Sequence, residues 1–305
     1  MRSILGLIIF SLLLCAPGGS LEAESREAGV RPSVLAGAWY PGDADQLKRM
    51  VLGYLREASP PEVQGDVRVV IVPHAGYRYS GAVAAYAYKI LEGRDISRVI
   101  LVGPSHRHRF SGISVSLHRA YETPLGEMPV DLALARSLVD SSPGVRFVPE
   151  AHAREHSLEI QLPFLQVVLP GVSVVPVVIG RQDMETSSML ASLLADAAAE
   201  RPGTLVVAST DLSHYHSCRV AEKLDRELIR HVEKADPDGL YRALAQGRCE
   251  ACGGGAVTAA LTAARKAGPC RGRVLKYATS GDVTGERGRV VGYLAAAVLG
   301  DQGGD

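Results

Sequence analysis

The chain has no excess of either charge: 33 Lys and Arg stand against 33 Asp and Glu, for a formal net charge of +0. That removes the electrostatic argument for nucleic acid or an anionic membrane surface as partner. No basic run, internal repeat or low-complexity tract interrupts the sequence, and no linker divides it. Its 305 residues are enough to bury a sizeable core, so a single domain over 24–305 is expected. A Gly-x-Ser-x-Gly elbow is also missing, which disfavours a serine hydrolase. The N-terminal apolar run, Ile4 to Leu14, is too short for an ordinary membrane span. With one basic residue before it and small residues after it, the run fits the core of a secretory signal. We therefore expect a signal peptide over 1–23, cut after Ser20 or Ala23, and an exported protein; without that signal the protein would be cytoplasmic. Cys15 follows three leucines instead of the small residue that precedes a lipidated cysteine, so lipidation is the weaker option. Cysteine is sparse: beyond Cys15 there are Cys218, Cys249, Cys252 and Cys270, an even set that could pair in an oxidising compartment.

What is present is a regular alternation. Apolar, β-branched runs at 67–73, 98–103, 172–179, 204–209, 273–279 and 289–298 are separated by stretches of helical spacing at 81–92, 131–141, 184–200, 219–234 and 254–267. Strands alternating with helices predict an α/β fold with a largely parallel or mixed central sheet flanked by helices. Asp43 or Asp45 is placed to cap a further helix running to about Arg56.

Unusual polar residues gather at the ends of these strands, where open α/β sheets bind ligands. "VVIVPHAGY" ends in His74, "RVILVGPSHRHRFSG" in Ser105 and His106, and "TLVVASTDLSHYHS" in Asp211, Ser213 and His214. "CEACGGGAVTAAL" places Cys252 and three glycines before a helix. Each has a plain structural reading. His74 could be a hydrogen-bonded core histidine, Asp211 and Ser213 helix caps, and Cys252 a small buried hydrophobe. Cys249-x-x-Cys252 could be a redox pair, although one such spacing is a weak signal. Their coincidence at corresponding ends favours one shared cleft.

The chemistry open to that cleft is narrow. Imidazole and thiolate suit zinc, iron or copper, whereas magnesium and calcium prefer oxygen. Two histidines and a cysteine make a three-ligand site with a position left for water or substrate. His214 is a candidate general base whose tautomer Asp211 would hold. In "AREHSLEIQLPFLQVVLP", His156 and Glu159 share a face if the segment is helical. They either line the cleft or are solvated polar residues of an amphipathic helix.

Taken together, "AGAWYPGD" (36–43), "VPHAGYRYSG" (72–81), "VGPSHRHRFSG" (102–112), "EHSLEIQLPFL" (155–165), "STDLSHY" (209–215) and "CGGGAV" (252–257) resemble the Memo family, the system B protein of the AmmeMemoRadiSam grouping. The resemblance implies a fold like that of the class III extradiol dioxygenases. It implies one transition metal on His74, His106 and Cys252, iron first and copper or zinc as alternatives, with His214 and Asp211 as acid/base pair. Trp39, Tyr77, Ser105, His156, Glu159 and Ser213 are expected to line the cleft or touch substrate. The implied function is a non-haem iron oxidoreductase acting on a small, aromatic substrate. The competing readings are a metal- or peptide-binding protein without turnover, and a zinc-dependent hydrolase. The dioxygenases use a carboxylate where Cys252 stands, which weakens the inference of oxygen chemistry. The grouping further implies an AMMECR1-type protein and a radical S-adenosylmethionine enzyme as partners, which fits poorly with export.

Overall fold

The computed structural model describes residues 28–300, so the segment read as a signal peptide, with Cys15, lies outside the described residues. In chain order the strands are β1 (Ala28–Arg31), β2 (Asp66–Val72), β3 (Arg98–Pro104), β4 (Ile113–Val115), β5 (His118–Thr123) and β6 (Gly126–Pro129). There follow β7 (Val145–Arg146), β8 (Ser173–Ile179), β9 (Thr204–Ser209), β10 (His214–His216), β11 (Cys270–Thr279) and β12 (Val290–Gly300). The helices begin with α1 (Ala44–Glu57), α2 (Tyr77–Lys89), α3 (Leu132–Asp140), α4 (Pro149–Ala153), α5 (His156–Glu159) and α6 (Leu162–Val168). They continue with α7 (Met184–Glu200), α8 (Cys218–Glu233), α9 (Pro237–Ala245), α10 (Gly254–Lys266) and α11 (Gly281–Thr284).

The four most apolar runs form a parallel unit in the spatial order β2-β9-β3-β8. Residues such as Val70, Ile71, Val99, Ile100, Val174 and Val207 are wholly buried in it, which explains why these strands read as continuous rather than alternating. β12 adds antiparallel to β2 and carries β10 and β11, while β4 adds antiparallel to β8 and carries β7. The sheet is therefore mixed, as the alternation predicted. β1, β5 and β6 make a separate small sheet whose short, charged strands carried no periodic signal.

Two helical groups flank the large sheet: α1, α2 and α6 pack together, and so do α7, α9 and α10. Asp43, not Asp45, caps α1, its carboxylate accepting the Gln46 N–H at 2.8 Å. The helical stretch near 219–246 is two helices, because Ala235 takes φ 45° and Pro237 cannot continue α8. Cys218, Cys249 and Cys252 are thiols, not disulfide halves. Among the described residues no helix is long and apolar enough to cross a membrane.

Candidate metal centre

Parallel strands bring their carboxyl ends to one edge of the sheet. Here β2 runs into Pro73–His74, β3 into Ser105–His106 and β9 into Thr210–Asp211. Two glycines allow other segments to close over that edge. A Cβ on Gly103 would lie 2.5 Å from the Ser157 hydroxyl, so β3 accepts α5 against its backbone. A Cβ on Gly253 would lie 2.5 Å from the Ser209 carbonyl, so the turn that carries Cys252 seats on the end of β9.

His74 is buried. Its backbone N–H donates to Asp211 Oδ1 at 2.7 Å. Its Nδ1 lies 3.0 Å from Ser209 Oγ and its Nε2 lies 3.0 Å from Cys252 Sγ. The single hydroxyl hydrogen of Ser209 goes to the Ser157 carbonyl at 2.6 Å. Gln161 Nε2 donates to Ser209 Oγ at 3.0 Å and to the Pro73 carbonyl at 2.9 Å, while Gln161 Oε1 accepts from Tyr88. Ser209 therefore has only a lone pair to offer His74, so the imidazole carries its proton on Nδ1. The lone pair of Nε2 then points toward the cleft. Burial, reinforced by the nearby His106, lowers the His74 pKa to about 3 and keeps the ring neutral.

His106 is fixed in the same sense by a carboxylate. Glu155 accepts from His106 Nδ1 at 2.9 Å and from the His106 backbone N–H at 2.6 Å. The third ring, His156, lies with its centroid 4.2 Å from that of His106 and 5.3 Å from that of His74. Burial and the neighbouring His74 lower its pKa to about 3. Nitrogens of His74, His106 and His156 all lie within 4.8 Å of one another. His156 Nδ1 is buried and makes no hydrogen bond, with Glu155 Oε1 3.5 Å away. Three imidazoles this close, two of them preoriented through Nδ1, are what a metal's donor set requires, so these residues fit such an ion.

Cys252 joins the cluster through Nε2 of His74. Its Sγ also accepts the Asp211 backbone N–H at 3.2 Å. Burial and the Asp211 charge push the thiol up to about 12, so without a cation beside it the group keeps its proton. Burial likewise lifts the Asp211 carboxyl to about 6. His214 and Cys252 face a cavity of about 770 Å³ together with the three histidines, Trp39, Tyr79, Tyr215 and Tyr293.

Other expected cleft residues sit elsewhere. The Tyr77 ring is buried against Tyr40 and Phe164, and its hydroxyl donates to the Ile160 carbonyl, so it is a core residue. The Glu159 carboxylate turns away from the cleft to Arg31, Ser33, Tyr40 and the backbone of Val34 and Leu35. Ser213 is wholly buried with its N–H on Asp225, outside the cavity. Ser105 faces a separate cavity with His108 and Arg109. Asp211 holds the His74 turn, its Oδ1 accepting the His74 backbone N–H. His156, expected to line the cleft, does so and also belongs to the histidine group, whereas Cys252 touches that group at His74. Glu155, Ser209 and Gln161 were missed, since polar residues beside a helix start or strand end look like ordinary caps.

The fold and this edge define an α/β protein with a histidine-rich cleft at the carboxyl ends of parallel strands. The Memo-like protein family matches residues 31–297, and the chain belongs to that family. It is 34% identical over 271 residues to a MEMO1 family protein of Nitrosopumilus maritimus, covering 87% of this chain and 98% of that one. It is 39% identical over 275 residues to a MEMO1 family protein of Methanosarcina mazei, covering 88% and 99%. A solved structure of an uncharacterized Escherichia coli protein superposes with a TM-score of 0.52 at 16% identity, over 77% of this chain and 100% of that one, a likeness of fold alone.

Proposed function

We propose that the cleft holds one transition metal on the imidazoles of His74, His106 and His156, with Cys252 as adjoining sulfur ligand, and serves an oxidoreductase acting on a small aromatic substrate. One observation carries this reading: nitrogens of three imidazoles, two of them locked with Nδ1 protonated, lie within 4.8 Å of one another. Nitrogen and sulfur donors suit iron, copper or zinc, and we take iron as the native metal. Bound there, it would supply Lewis-acid and one-electron chemistry.

The remaining work falls to the chain. The cavity is of a size for a small ligand, and Trp39, Tyr79, Tyr215 and Tyr293 give it walls that a planar substrate stacks on. His214 stands on that wall as the group that takes or returns a substrate proton at its imidazole nitrogen. Asp211 holds the His74 turn with its carboxylate and the Cys252 sulfur with its backbone N–H. The sulfur beside His74 favours one second reading, a zinc-dependent hydrolase, because zinc accepts mixed nitrogen and sulfur ligands.

Protein purified anaerobically without added metal should contain about one iron per chain and consume oxygen with a catechol probe over many turnovers. H74A should lose both iron and turnover, and H214A turnover alone. Zinc with no oxygen uptake across a phenolic panel would replace the oxidoreductase by the hydrolase. Bound metal with no turnover in either assay would leave a binding protein.

A further inference from the structure

Glu155 occupies an unusual position for a buried acid. Its side chain is 0% exposed, yet among the described residues no Lys or Arg side chain pairs with it; it accepts from the His106 ring, the His106 backbone N–H and the Ser157 N–H, and His156 Nδ1 lies 3.5 Å from it. His106 lies on the loop after β3, whereas Ser157 lies in the first turn of α5, next to His156. One carboxylate thus spans the two segments that carry two of the three imidazoles. Its backbone carbonyl accepts from Arg31 Nη2 at 3.0 Å, which anchors the span to the N-terminal segment. A carboxylate is acceptor-only, so His106 can meet it only with Nδ1 protonated. The His106 lone pair is then on Nε2.

We infer that Glu155 is the positioning residue of the centre: it fixes which nitrogen of His106 faces the cleft and so sets the affinity for a borderline divalent cation such as Co(II) or Zn(II). This rests on the metal-centre reading. A glutamine at 155 offers one oxygen where two now serve the N–H groups of His106 and Ser157, so its own amide N–H₂ must face a donor. The His106 tautomer is then released. Loss of such an outer carboxylate costs about 10–100-fold in metal affinity.

The experiment measures Co(II) and Zn(II) affinity by competition with a chromophoric chelator, and the His106 tautomer by ¹⁵N NMR of the metal-free protein. Wild type, E155Q and E155D are compared, with thermal unfolding as the folding control. We expect wild-type His106 in the Nδ1–H form. E155Q should show a tautomer mixture and about 10–100-fold weaker binding. E155D, which keeps the charge on a shorter arm, should recover part of both and serves if E155Q does not fold. Equal affinity and an unchanged His106 tautomer in folded E155Q and E155D overturn the inference alone. Absence of Co(II) and Zn(II) binding by the wild type overturns the metal reading and this inference with it.

Discussion

The Glu159→Ala substitution isolates the clamp that holds the N-terminal segment under the site. The Glu159 carboxylate accepts from Ser33 Oγ at 2.7 Å, Tyr40 Oη at 2.7 Å, Leu35 N at 2.9 Å and Val34 N at 3.0 Å, and it pairs with Arg31. Both charged side chains are buried, at 1% and 0% exposure. Removing one partner of a buried ion pair leaves the other charge uncompensated, and such losses run at about 3–5 kcal/mol. We therefore expect E159A to lose about that much in urea unfolding, with an unchanged slope on denaturant. Trp39, the single tryptophan, sits within the affected segment and reports the transition by fluorescence. The apolar double variant R31M/E159L should be less destabilised than E159A, because neither charge is then buried alone. The same clamp predicts acid lability. Burial by itself would raise the Glu159 pKa, but Arg31 and the hydroxyl donors outweigh it and hold the group below its usual range. Its contribution is thus complete above the ordinary glutamate value of about 4.3 and is lost as pH falls through the lower folded value. E159Q should flatten that part of the stability–pH curve. A loss in E159A below about 1 kcal/mol, the scale of an ordinary surface change, would refute the clamp.

Three further outcomes follow from the geometry. S209A removes the acceptor of His74 Nδ1 and a partner of Gln161, both buried; we expect a loss of about 1–3 kcal/mol in thermal or urea unfolding. The same variant should bind Zn(II) about tenfold more weakly by chelator competition. G253A forces a Cβ against the Ser209 carbonyl and should cost about 1–3 kcal/mol, with faster alkylation of Cys252 in the metal-free protein as the turn lifts. Because the Trp39 and His156 rings lie 4.6 Å apart, Cu(II) should quench Trp39 fluorescence in the wild type and much less in H74A; equal quenching in both would detach the fluorophore from the site.

Much of this was legible because it depended on local pattern. Strands buried on both faces print continuous apolar runs, and His74, His106, Asp211 and Cys252 stand directly at the ends of such runs or at the start of α10. What failed depended on distant partners. Glu159 finds Arg31 across 128 residues, and no periodicity in its own segment shows which way its carboxylate turns. His156 looked like a polar helix residue until the short turn of α5, set against Gly103, aimed it between two other imidazoles. Glu155 and Ser209 carry no spacing signature at all, since their role is to fix the protonation of a ring brought to them by another strand. The small sheet of β1, β5 and β6 escaped for a similar reason: its β1–β5 pairing joins segments about 90 residues apart, and its strands are short and polar.

The proposed centre brings three imidazoles and one sulfur to a single metal. X-ray absorption at the metal edge, on protein isolated without added metal, tests it most directly. The expected result is about one metal per chain, with a shell of three imidazole nitrogens near 2.0–2.1 Å and one sulfur near 2.3 Å, lost in H74A and stripped of its sulfur in C252S. A metal-free protein, or a shell made only of oxygen, would contradict it.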